Sequence, residues 1–209
     1  PSISASGSIG SFTACSGVAG AEQSLTISGS NLIADITVTA PSGYEVSKTS
    51  GLNYASSITF TPSSGTVASS TVYIRLTSSA SNLAGGNLAC TSTDASTVNV
   101  ATGSGTVTAP PTSGTISGTN SIAIGQTSQL SISGNSASGT WASSNTSVAT
   151  INGSGLVSGA TTGSTNITYT VSGSGGCSDA FDTYAVTVSA AIATVGSGNW
   201  NDASNWGGS

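Results

Sequence analysis

The chain has 209 residues, of which 4% are charged; it holds 2 basic and 7 acidic side chains, no His and no Met, and carries a net charge of −5. General-base, metal-assisted and phosphoryl-transfer chemistry draw on His, Lys, Arg, Cys or clustered carboxylates, so this composition points away from an enzyme and calls for no cofactor. Lys48 and Arg75 are the whole basic complement, which disfavours nucleic acid and anionic membranes as partners, and no apolar run reaches the roughly 18 residues of a spanning helix.

What is left is Ser, Thr, Gly, Ala and Val in alternating runs, with a hydrophobic content of 36% that argues for a packed fold rather than disorder. The length suits one large β domain or two smaller ones. In chain order, Ser24–Ile27, Asp35–Val38, Ser57–Phe60, Ser70–Thr77 and Thr97–Val100 alternate with a period of two and read as strands. Within the fourth of these, Val72, Ile74 and Leu76 share one face while Tyr73 and Arg75 share the other. Helix formers are too sparse for a sustained 3.6-residue stripe. Residues 1–108 are expected to form one sandwich module.

Ala109-Pro110-Pro111-Thr112-Ser113 reads as a stiff linker, because adjacent prolines fix φ and remove two donors. A second module is expected over 114–189. There Val148 and Ile151 begin a strand, Asn152-Gly153 supplies a tight hairpin turn, Leu156 and Val157 open the return strand, and Ile167 follows on a further strand. Trp141 is the expected large filler of that core. Residues 190–209 carry paired Asn-Trp steps and read as a tail or the start of a further module. Opening on Pro1 without any Met, the chain reads as a mature fragment or an internal segment of something longer.

The segment SVATINGSGLVSG at 147–159, with Trp141 before it and Asn166-Ile167-Thr168-Tyr169 after it, resembles the bacterial Ig-like group 2 domain over residues 114–189. That resemblance implies short β-sandwiches strung in tandem on bacterial surface proteins. In the first half, Ser28–Leu32, Ile36–Ser47 and the Val72–Leu76 strand are similar to sandwich repeats of large secreted Bacteroidota proteins, such as gliding-motility adhesins and other type IX-secreted proteins. The expected fold is therefore all-β: tandem Ig-like β-sandwiches joined by a short Pro-Pro linker.

Cys15, Cys90 and Cys177 form an odd set. In an exported chain, Cys15 and Cys90 are expected to pair within the first module, a bridge worth about 4–5 kcal/mol in the chain-entropy model. Cys177, in a Gly-Gly-Cys-Ser turn, is then left as a free thiol or as a partner for another module or subunit. Three dispersed Cys without His make a poor zinc set. Among the acids, Asp179 and Asp182 alone are near neighbours and lack a calcium-loop pattern. Lys48 reads as an exposed turn residue, not as the base of a serine nucleophile. Asn145, Asn152 and Asn166 fit the N-glycan acceptor pattern by composition. Trp200 and Trp206 are candidates for docking or for stacking on a saccharide.

Function follows as an expectation: a secreted, cell-surface, non-catalytic stalk or adhesin segment whose partners are neighbouring modules, copies of itself or surface glycans. Two alternatives stand beside it, a self-assembling subunit of a filament or sheath and a carbohydrate-binding accessory module of a secreted enzyme.

Overall fold

The computed structural model describes residues 1–191, and this part of the chain is strand and loop throughout. The Trp200 and Trp206 candidates, and the expected tail from residue 192 on, lie outside the described residues. The described chain divides into two compact units, one built from Pro1–Pro111 with Ser172–Asp179, the other from Thr112–Val171 and the described residues from Ala180 on. The division at 111/112 falls within the proline segment. Ser172–Asp179, read from sequence as part of the second module, groups instead with the first unit.

The first unit holds β1 (Ser2–Ser6), β2 (Phe12–Cys15), β3 (Gln23–Ser30), β4 (Ile36–Thr39), β5 (Tyr44–Ser47), β6 (Ser57–Phe60), β7 (Val67–Leu76), β8 (Gly86–Thr91), β9 (Val98–Thr102) and β10 (Gly105–Thr108). Two four-stranded sheets, ordered β1-β3-β7-β5 and β6-β4-β8-β9, share one core, and a parallel pair joins β10 to β2. Period-two alternation dictates which side chains meet. Leu25 lies opposite Val72, Val46 opposite Ile74 and Tyr44 opposite Leu76, all facing inward. The expected core residues Val72, Ile74 and Leu76 are each 0% exposed. Between β1 and β3 the outward positions are hydroxyls that pair across strands, Ser2 with Ser30 at 2.9 Å and Ser6 with Thr26 at 2.6 Å, the uncharged equivalent of cross-strand ion pairs.

The second unit holds β11 (Thr115–Ser117), β12 (Ser121–Ala123), β13 (Thr127–Gln129), β14 (Ser131–Ser133), β15 (Thr140–Ser143), β16 (Ala149–Ile151), β17 (Leu156–Gly159), β18 (Gly163–Val171) and β19 (Ala180–Ser189). Its sheets run β12-β19-β18-β15 and β13-β17-β16, with β11 and β14 paired apart. Val148, Val157, Ile167, Val186 and Val188 are buried between them.

Three expectations for this core change. Trp141 sits on β15, an edge strand, and is half-buried, with its ring tilted against Tyr169 at 4.8 Å; an edge strand leaves one flank of the ring uncovered. Ile151 is likewise half-buried against the core. Leu156 is half-buried but is not among the residues packed on this core, because alternation along β17 gives the inward position to Val157. The expected Asn152-Gly153 hairpin turn is also not made. The positive φ falls on Gly155, at 84°, where an added Cβ would meet the Leu130 carbonyl oxygen at 2.6 Å. Asn152 holds the turn from its side chain, Oδ1 accepting from the amides of Ser154 and Leu156 at 3.0 Å each.

Candidate functional site

Cys15 closes β2, where the next amide, Ser16 N, donates to the Thr108 carbonyl at 2.8 Å and extends the β2–β10 pairing. Cys177 lies in the loop between β18 and β19. That loop turns on itself through Cys177 N to Ser174 O at 3.0 Å, and Gly173 N donates to Asp179 Oδ1 at 2.8 Å. Gly175 and Gly176 adopt φ of 61° and 88°. A Cβ on Gly175 would run into Thr108, so glycine here allows the loop to approach β10.

These two segments are bonded: Cys15 and Cys177 form a disulfide across 162 residues, with Cα atoms 4.7 Å apart. The expected Cys15–Cys90 bridge is not formed, and Cys177 is not a free thiol. Cys90 is 0% exposed on β8, beside Val38 on β4, with its side chain in the core. Inward alternation of Leu88 and Cys90 along β8 makes Cys90 a small core hydrophobe rather than a bridging partner. Burial pushes its thiol pKa up, which disfavours the reactive thiolate. That alternation was visible in the sequence; the approach of the Gly-Gly-Cys loop to β2 was not.

The other concentration of polar chemistry surrounds Glu22. Its carboxylate accepts from Ser50 Oγ, from Tyr54 OH and from Gly51 N, the last at 3.0 Å. The bonds from Ser50, then Tyr54, then Gly51 hold Glu22 below the usual carboxylate range. Burial, then the facing carboxylate, pushes the Tyr54 hydroxyl up to about 12. The Arg75 guanidinium lies over the Tyr54 ring at 3.7 Å while its Nε donates to Glu45 at 2.7 Å. Lys48 is exposed, with Nζ 4.8 Å from the Phe60 ring centroid.

Both cations therefore rest on aromatic faces, and Glu22 is saturated with donors. A carboxylate with a depressed pKa, engaged by hydroxyls and an amide, serves as an anchor for the 49–54 loop and is unsuited to general-acid work at neutral pH. Elsewhere in the chain Asp179 and Asp182 also serve the backbone, Asp179 as above and Asp182 by accepting from Ile116 N at 2.8 Å. Among the described residues no His, Cys, Asp and Glu side chains gather as a metal site. Asn145 spends its side-chain oxygen on the Ser147 amide at 3.1 Å.

Residues 110–180 match the family of the bacterial Ig-like domain (group 2). No curated protein matches the chain. Among solved structures, it is similar at 19% identity and a TM-score of 0.41 to the C-terminal 282-residue fragment of intimin, solved in complex with the intimin-binding domain of the translocated intimin receptor. That match covers 89% of this chain and 63% of the fragment, so the chain spans less than two thirds of it. A second similarity, at 20% identity and a TM-score of 0.25, is to domains 1–6 of the surface layer protein SbsC and covers 80% of this chain and 32% of that one.

Proposed function

We propose that the chain is a non-catalytic segment of an extracellular bacterial surface protein, in which tandem β-sandwiches act as a stalk for a binding region elsewhere. The observation that carries this reading is the Cys15–Cys177 disulfide. Such bonds persist in oxidising, extracellular settings, which fits the bacterial Ig-like match over 110–180. The proposed partners are neighbouring modules of the same polypeptide. Placement among type IX-secreted Bacteroidota adhesins rests on the resemblance of the first-half strands alone.

Negative-stain microscopy and sizing of the purified chain test the reading. Isolated monomeric particles at micromolar concentration are the expected result. Ordered polymers would replace the stalk with a filament or sheath subunit, and specific retention on a glycan array would replace it with a carbohydrate-binding module.

A further inference from the structure

Tension in a polypeptide follows its covalent bonds, and a cross-link offers it a shorter path than the main chain. Here that path leaves the main chain at Cys15 and rejoins it at Cys177, a step of 4.7 Å between Cα atoms in place of 162 residues. The strands from β3 to β18 and the Pro110-Pro111 linker all lie inside the closed loop. A pull applied to the two flanks of the chain loads β1, β2 and β19 among the described strands and leaves the rest unstretched.

We infer that the Cys15–Cys177 disulfide is a tension bypass that fixes the reach of this segment while oxidised and releases the looped length when reduced. The inference stands on covalent connectivity and holds for a stalk, a filament subunit or an accessory module alike. It also removes the Pro-Pro linker from the load path, so the stiffness of that linker does not transmit end-to-end force.

The surroundings of the bond keep it in this pairing. The loop that carries Cys177 is pre-shaped by its own turn and by the Asp179 bond to Gly173. The third thiol, Cys90, is 0% exposed in the first core. Exchange requires a thiolate with access to a disulfide sulfur, and Cys90 has neither access nor an easily lost proton. An external dithiol opens the bond by ordinary exchange. One of its thiolates attacks either sulfur and forms a mixed disulfide, expelling the other cysteine as a thiolate that takes up a proton. The second thiol of the reagent then displaces the remaining cysteine and closes its own disulfide. Two electrons and two protons pass to the protein, leaving Cys15 and Cys177 as thiols.

Force spectroscopy with handles fused before residue 1 and after residue 209 tests this directly. The oxidised chain is expected to extend without the looped segment, and addition of dithiothreitol to add about 570 Å of contour, from roughly 3.5 Å per residue. Replacing both residues, Cys15→Ser with Cys177→Ser, should give the full contour without reductant, and Cys90→Ala should leave the reductant step unchanged. The step in the unaltered chain decides the matter even if the double variant fails to fold. Full extension of the oxidised chain would overturn the bypass. A reductant step of about 260 or 300 Å would also overturn it, by placing the bond on Cys90.

Discussion

The first unit ties its loops down with a carboxylate centre and a disulfide, whereas the second relies largely on hydroxyls and amides and contains neither Lys nor Arg. In the first, Glu22 gathers Ser50, Gly51 and Tyr54, and a disulfide brings in the 172–179 loop. In the second, buried Thr165 Oγ1 accepts from Asn145 N at 2.9 Å and lies 3.1 and 3.2 Å from the hydroxyls of Ser143 and Ser144. Asn145 and Asn152 cap their own turns, and Asp182 accepts from Ile116 N. A thin sandwich therefore needs no basic side chain to order its loops, provided every buried polar atom has a partner. Among the described residues, none of the buried side-chain nitrogens or oxygens is left without one.

The comparison breaks most sharply at the disulfide. Reduction is expected to destabilise the first unit by about 5 kcal/mol, the chain-entropy value for a loop of this span, and to leave the second core protected. Hydrogen exchange read by segment, with and without reductant, checks this; equal loss of protection in Val72–Leu76 and in Ile167–Val171 would mean the units unfold together.

Core truncation should separate the units in the same way. Ile74 and Ile167 are each 0% exposed, so Ile74→Ala and Ile167→Ala should each cost about 3–4 kcal/mol. Each loss should appear in its own unit when urea unfolding is followed by segment-resolved exchange. A smaller effect is expected at Trp141, which is half-buried on an edge strand. Trp141→Ala should cost about 2 kcal/mol, the lost stacking on Tyr169 plus partial burial. A loss above about 4 kcal/mol in urea titration would place the ring fully in the core.

The gentlest test concerns the Glu22 anchor. Because its pKa is depressed in the folded state, its contribution is present above the ordinary glutamate value of about 4.3 and is lost as pH falls through the lower folded value. The Gly51 amide resonance should therefore titrate with a midpoint below about 4.3. Tyr54 runs the other way. With its pKa raised to about 12, its share of stability is intact below about pH 10 and is lost as pH rises from there through the folded value. Glu22→Gln should move the Tyr54 absorbance titration part of the way down, since burial remains the larger cause. An unchanged midpoint in that variant would remove Glu22 from the account.

What the sequence makes legible does not divide along the two units. Strands with strict alternation, such as Val67–Leu76, were readable because a period of two assigns each side chain to a face. The same rule, applied at Leu88 and Cys90 or at Leu156 and Val157, would have placed Cys90 in the core and Leu156 outside it. The turn after Asn152 departs from the two-residue hairpin that Asn-Gly signals, because the competing Asn152 side-chain bonds need the longer loop to form.

From the sequence alone come the all-β class, the near absence of ionisable chemistry and the hydroxyl-rich outer faces, because composition and alternation act residue by residue. Which cysteines meet, which donors Glu22 collects and how far Trp141 is covered were decided by the tertiary structure. Those outcomes depend on segments tens to more than a hundred residues apart arriving at one place, and no local pattern along the chain encodes that distance.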